Sequence, residues 1–213
     1  TNLPSRLIKS LKEHYFIGLP DVVKTQKSKD GTIKCLYEFH DGVKVEAVFM
    51  KYSYGNSLCI SSQAGCKMGC TFCASTMNGL ERNLTAGEML GQVLKTVNIT
   101  GEDIRHIVVM GIGEPFDNYD ELSKFLKLIH DDKGYGISYR NITVSTCGII
   151  PAINRFAEEF SQVNLAISLH ASNDEVRRKL MPIASLYKYD DLIDASKAYT
   201  KKTGRRITFE YSL

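Results

Sequence analysis

Three of the six cysteines in this 213-residue chain fall inside one eight-residue window, Cys66, Cys70 and Cys73, in a Cys-x3-Cys-x2-Cys run. No other feature narrows the possible folds as far, because three thiols so close together need one tight, well-supported loop. Gly65 and Gly69 supply the backbone freedom for that loop. In a small secreted protein an even cysteine count suggests disulfides. Clustering of this kind points instead to metal binding or redox chemistry. The start, Thr1-Asn2-Leu3-Pro4, has neither a charged n-region nor an apolar h-region, and no apolar run approaches the ~20 residues of a membrane span. The expectation is a cytoplasmic chain without membrane association.

Hydrophobic residues make up 43% of the chain and charged residues 24%, enough for a packed core. The net charge of +3 permits nucleic-acid binding without arguing for it. One large domain with a small appendage fits this length, and the pattern divides near residue 54. Residues 4–15 place Leu7, Ile8 and Leu11 among Lys and Glu, the signature of a short amphipathic helix. Asp30-Gly31 and Asp41-Gly42 then separate alternating segments and predict a three-stranded meander.

From residue 57 the pattern becomes strand, then helix, repeated. Strands are expected at 57–61, 106–110, 141–145, 163–169 and 206–211. Thr85 with Glu88 forms a capping box for a helix over 85–98. Asn118 with Glu121 opens the next helix, and Pro151 suits the first turn of another. Ser172 with Glu175 caps a short helix before Pro182, and a helix over 190–203 ends at Gly204. This alternation predicts an α/β fold with parallel strands and right-handed crossovers. Apolar strands such as Ile107-Val108-Val109-Met110 are expected to be covered on both faces, as in a barrel or a doubly wound sheet.

In either architecture chemistry gathers where strands end. The cysteine loop follows the first βα strand directly. Four thiolates would saturate a 4Fe–4S cluster. Three leave one iron open, which makes sense where S-adenosylmethionine binds that iron through its amino and carboxylate groups. Structural zinc normally needs a fourth Cys or His at ligand spacing, and only Cys59 lies near. A simple electron carrier needs no long βα region behind its cluster. Three further strand ends carry Gly111-Ile112-Gly113-Glu114-Pro115, Ser145-Thr146-Cys147-Gly148 and Ser168-Leu169-His170. Singly, a Gly-Glu-Pro turn or a strand-end Ser has an ordinary structural reading. Together they converge on one end of one sheet, and Glu114 is placed to accept from an ammonium.

Cys59-Ile60-Ser61-Ser62, Gln63-Ala64-Gly65-Cys66, Arg82-Asn83-Leu84-Thr85, Gly113-Glu114-Pro115 and Ser168-Leu169-His170-Ala171 resemble the RlmN/Cfr radical-SAM RNA methyltransferases. The resemblance runs from about Leu3 to the end of the chain. It implies a partial (βα)6 TIM-like barrel, incomplete here, as residues 55–213, with residues 1–54 as a small α+β appendage. It implies Cys66, Cys70 and Cys73 as ligands of a 4Fe–4S cluster. Contacts to S-adenosylmethionine would fall on Gly113, Glu114, Ser145, Ser168, Leu169 and His170. Glu46 matches the family's active-site carboxylate, although Val45, Ala47 and Phe49 on the opposite face would by themselves make it a solvated strand residue. Cys59 matches a cysteine that resolves the enzyme–RNA adduct, against a plain reading as a packed strand thiol. Cys35 and Cys147 match no essential cysteine and are read as packing residues.

Arg82-Asn83-Leu84-Thr85 and Pro115 resemble the RlmN branch, which methylates carbon 2 of adenine in 23S ribosomal RNA and in certain transfer RNAs. The Cfr branch modifies carbon 8, and a radical-SAM enzyme with a non-RNA substrate is the further alternative. The family methylates a C-terminal cysteine with one S-adenosylmethionine and cleaves a second to activate that methyl group. Its implied partners are RNA and an electron donor such as flavodoxin or ferredoxin, and its implied state is a monomer. On this resemblance the chain is a fragment that ends before the methyl-carrying cysteine and does not complete methyl transfer alone. RNA contacts are expected at Lys9, Lys12, Lys24, Lys27 and Lys29 and at Arg177, Arg178 and Lys179.

Overall fold

A computed structural model describes residues 3–15 and 18–212 of the chain. The first two residues, used above to argue against a leader, and Leu213 lie outside the described residues. The amphipathic segment forms α1 (Ser5–His14), and the two Asp-Gly turns join β1 (Asp21–Lys27), β2 (Ile33–Glu38) and β3 (Lys44–Met50). Asp30 and Asp41 each accept a hydrogen bond from the backbone N–H two residues on, which sets the turns. The chain continues through β4 (Ser57–Ile60) and a ribbon of β5 (Gln63–Gly65) and β6 (Leu80–Asn83), then α2 (Ala86–Thr100). There follow β7 (His106–Val109), α3 (Tyr119–His130), β8 (Ile142–Thr146), α4 (Ile150–Glu159) and β9 (Asn164–Ser168). Last come α5 (Asp174–Leu180), α6 (Tyr189–Thr203) and β10 (Ile207–Glu210).

All strands but β5 and β6 join one sheet in the order β1-β2-β3-β4-β7-β8-β9-β10. Strands β4, β7, β8, β9 and β10 are parallel and neighbour one another in chain order. A doubly wound sheet reverses its order at a switch point. This one does not, so the barrel-like alternative holds. The meander is continuous with it, because β3 pairs antiparallel with β4 through Val48 and Cys59.

Residue alternation decides which face is packed. Val45, Ala47, Phe49, Leu58, Ile60, Ile107, Val109, Ile142, Val144, Leu165 and Ile167 bury against Met89, Val93, Leu122, Phe125, Ile153, Phe156 and Leu192 from the helices. The alternate positions Cys59, Val108 and Ser168 face the other way and are only partly buried. The expectation of strands covered on both faces is met at Ser145 and Ala166, which are buried opposite the packed positions, and not at Met110, which lies just past the end of β7 and is 38% exposed. The apolar content of β7 reflects one packed face and a second face on which Val108 is half-buried.

Two predicted caps also move. The short helix α5 is capped by Asn173, whose side chain accepts from the Val176 N–H, rather than by Ser172. Asn118 makes no cap bond, since a short 3-10 turn over Pro115–Asn118 precedes α3 and its amide donates to the carbonyls of Ser62 and Leu84. The capping box on α2 is present as expected.

Candidate functional site

The cysteine loop leaves β5 at Gly65, whose φ is +72° and where a Cβ would lie 2.0 Å from the Gly79 carbonyl oxygen. Only glycine fits there, so the loop and the β5–β6 ribbon close on each other. The Cys66 N–H donates to Gly79 O at 2.9 Å, and Thr76 Oγ1 accepts from the Gly69 N–H while donating to Cys66 O. From the far side, the Thr71 N–H donates to Leu180 O at the end of α5. Cys66, Cys70 and Cys73 thus emerge from a loop anchored at three points, and all are free thiols.

All three line one cleft of about 190 Å³, together with Gly113, Glu114, Ser145, Ser168 and Glu210. Of the expected cofactor contacts, Gly113, Glu114, Ser145 and Ser168 are therefore brought together with the thiols. Leu169 is buried in the core beside the cleft. His170 sits at its mouth in the left-handed region, φ 53°, its N–H donating to Glu210 O and its ring edge-on to Phe72. A non-glycine residue held there is strained, and such strain gathers at functional sites. Burial holds the His170 imidazole below its ordinary value.

Glu114 is wholly inside. One carboxylate oxygen accepts from the Phe116 N–H at 3.0 Å and from Thr146 Oγ1 at 2.7 Å, and the other from the Cys147 N–H at 2.7 Å. Burial pushes this carboxyl up, against the pull of those donors. The Cys147 thiol bonds to the same carboxylate, so the groups around it within the fold already account for its roughly four acceptor positions. Burial likewise raises Cys66, and pushes the Cys70 thiol up to about 11 with Cys66 and Cys73 adding to the effect. Binding a metal would displace the protons of Cys66 and Cys70.

Glu46 and Cys59 are not part of the cleft lining. Glu46 is a half-exposed carboxylate paired with Lys34 Nζ at 2.9 Å on the meander. It lies on the same sheet face as Val48 and Cys59, because Val48 and Cys59 are register partners. Burial pushes the Cys59 thiol up to about 11. Cys147 packs against Cys70 and Met181 and lines the cleft, while Cys35 is buried in the main core. Arg177 was expected to meet RNA, and the structure corrects this: it is 0% exposed, whereas Arg178 and Lys179 are exposed. Its position on α5 turns it inward between β8 and β9.

Glu210 was missed by sequence reasoning. Its carboxylate accepts from Ser168 Oγ at 2.6 Å and from Ser145 Oγ at 3.2 Å, so it orients both strand-end hydroxyls. The signal available was modest: Glu210 is the one acidic residue in the last predicted strand, at the same strand end as the other site residues. Gln63 was also missed. It accepts from the Glu114 N–H and donates to Asn83 and Asp117, tying the loop to the Gly-Glu-Pro turn.

Among the described residues, no three cysteine, histidine or carboxylate side chains converge as they would on one bound ion. A cubane asks for something different, since each thiolate holds a separate iron. Three free thiols on one anchored loop, facing hydroxyl and carboxylate groups across a cleft, fit such a cluster and a polar cofactor beside it.

The profile described as the Radical SAM superfamily matches residues 60–210. The chain is 53% identical over 213 residues to a Clostridium tetani protein named "Probable dual-specificity RNA methyltransferase RlmN", covering all of this chain and 61% of that one. A Clostridium acetobutylicum protein of the same name is 54% identical, with 62% of it covered. A solved structure, "Crystal Structure of a radical SAM methyltransferase from Sphaerobacter thermophilus", superposes with a TM-score of 0.94 at 42% identity, over 99% of this chain and 63% of that one. The chain thus spans about three fifths of the length of the relatives it matches.

Proposed function

Because the chain belongs to the radical SAM superfamily, we propose that it is the cofactor-binding part of an RNA methyltransferase that modifies carbon 2 of adenine in 23S ribosomal RNA and in transfer RNA. The observation that carries this reading is the convergence of Cys66, Cys70 and Cys73 with Glu114, Ser145 and Ser168 on one cleft. In it the three thiols hold a 4Fe–4S cluster, and Gly113, Glu114, Ser145, Ser168, Leu169 and His170 receive S-adenosylmethionine. When bound, that pair supplies one-electron cleavage of a sulfonium, the chemistry an unactivated aromatic carbon requires.

The chain's own residues bind and orient. Glu210 fixes the hydroxyls of Ser145 and Ser168, and Glu114 lines the cleft with a carboxylate held by Phe116, Thr146 and Cys147. Residues 1–54 are assigned to the RNA-facing appendage and residues 55–213 to the radical-SAM core. The exposed lysines of the appendage, Lys9, Lys12, Lys24, Lys27 and Lys29, suit phosphate contact. Glu46 and Cys59, on the shared sheet face, are assigned to the adenine side of the reaction. A low-potential donor such as flavodoxin or ferredoxin, a monomeric state and a cytoplasmic location complete the reading. Among the described residues no helix is long and apolar enough to cross a membrane.

Mass spectrometry of ribosomal and transfer RNA from cells with and without the gene tests the regiochemistry. Loss of 2-methyladenosine on deletion is the expected result. Loss of 8-methyladenosine instead, or no change in either nucleoside, refutes it.

A further inference from the structure

Arg177 is a completely buried cation without a carboxylate. Its Nε donates to Leu169 O at 3.3 Å, and its Nη2 donates to Cys147 O at 2.6 Å and Ser168 O at 3.3 Å. Among the described residues the third nitrogen, Nη1, is buried with no hydrogen-bond partner. Among the described residues it forms no ion pair. A buried charge left uncompensated is strongly destabilising, so a counter-charge is to be expected nearby.

What lies nearby is the cysteine site. Cys147 and Ser168, whose carbonyls take the guanidinium, both line the cleft, and Cys147 packs on Cys70. The helix that carries Arg177 also grips the cysteine loop through Leu180 O to the Thr71 N–H, and Pro182, just past the helix, lies against Gly69. The charged or titratable groups that interact with Arg177 are Cys147, Cys70, Asp174 and His170, and burial opposes its charge. Asp174 accepts from the Tyr189 N–H and forms no ion pair with Arg177 among the described residues.

We infer that Arg177 is a positioning residue whose guanidinium is the counter-charge of the thiolate-bound cluster, favouring the cluster's reduced state while holding the ends of β8 and β9 in place. This rests on the cluster assignment proposed above. Reduction by one electron from a low-potential donor adds one negative charge to a cluster held by three thiolates. A fixed cation in a low-dielectric surround favours that added charge. Net charge and hydrogen bonding are the levers that set such potentials.

An EPR-monitored redox titration of the anaerobically reconstituted chain tests the inference, once iron and sulfide analysis has established the cluster. For Arg177→Gln the equilibrium constant for reduction is expected to fall at least tenfold, about 59 mV for a one-electron couple. Arg177→Lys replaces a permanent charge with one that can titrate. Its potential is expected to fall more steeply with rising pH than the parent's, and this profile decides the matter where the Gln variant does not fold. A fully loaded Gln variant at the parent potential, or a Lys variant with the parent's pH profile, overturns the role of Arg177 while leaving the cluster assignment standing. A chain that takes up no 4Fe–4S cluster overturns both.

Discussion

Replacing Glu88 with alanine should destabilise the chain by about 3 kcal/mol, a magnitude that follows from what the carboxylate holds. Glu88 accepts from Arg82 Nη1 at 2.9 Å and Nη2 at 2.7 Å, and from the Thr85 N–H at 2.8 Å and Thr85 Oγ1 at 3.1 Å. Its side chain is 11% exposed and that of Arg82 is 28% exposed, so solvent screens the pair only in part. Losing the capping half costs ~1 kcal/mol. Losing a bidentate, partly buried pair costs roughly 2–3 kcal/mol more, toward the low end because Arg82 keeps Asp41 at 2.6 Å. Urea unfolding of the anaerobic apoprotein reads the change directly, and the melting temperature should drop by about 6–12 °C. In a double-mutant cycle with Arg82→Ala the two losses should fall short of additive by ~1.5 kcal/mol or more. A Glu88→Ala loss below ~1 kcal/mol, or strict additivity, would refute the account of how Arg82-Asn83-Leu84-Thr85 ties ribbon, helix and meander together.

The pH dependence has a definite sign. Hydrogen bonding to Arg82 holds Asp41 down at about 2. For Glu88 burial acts upward, yet the bonds from Arg82 and Thr85 outweigh it and leave the carboxyl below its ordinary 4.5. Both groups contribute stability above their unfolded values, and that stability is lost as pH falls through the folded ones. The gap between the parent and the double variant should therefore close on acidification below about pH 4.5.

Two further outcomes concern the cleft. Gly113→Ala should cost at least ~2 kcal/mol in urea unfolding, because φ is +104° and the new Cβ would lie 2.5 Å from Gln63 Cβ and 2.9 Å from the Gln63 nitrogen; a cost under ~0.5 kcal/mol would show that the Gly-Glu-Pro turn is not packed as described. Glu210→Gln should weaken S-adenosylmethionine binding by about 5–30-fold in equilibrium dialysis while iron content stays unchanged, as expected for loss of one charge-assisted anchor to Ser145 and Ser168. Unaltered affinity would remove Glu210 from the site.

The parts of this molecule that were legible in advance are those governed by short-range rules. Thr85 and Glu88 form their capping box, Gly204 ends α6 in the left-handed region, and the Asp-Gly turns fold the meander. The cysteine spacing and the strand-end glycine and serines located the cleft for the same reason, since strand ends follow from periodicity. What was not legible depended on long-range geometry. Arg177 reads as surface charge within Arg177-Arg178-Lys179, and only the placement of α5 across β8 and β9 turns one of the three inward. Glu210 gains its meaning from parallel pairing with Ser168. The ribbon of β5 and β6 has too few residues on either strand to show a period, and its pairing bridges the whole cysteine loop. Asn118 reads as a cap because its neighbours allow one, but the carbonyls of Ser62 and Leu84 claim its amide first.

The central claim is that the three-cysteine loop holds a cluster with one iron left for S-adenosylmethionine. Anaerobic reconstitution followed by EPR of the reduced chain, with and without S-adenosylmethionine, tests it most directly. The account predicts a brown protein with a 4Fe–4S signal that changes when S-adenosylmethionine is added, release of 5′-deoxyadenosine, and loss of all three in Cys70→Ala. A colourless zinc protein, or a cluster signal indifferent both to S-adenosylmethionine and to Cys70→Ala, would contradict it.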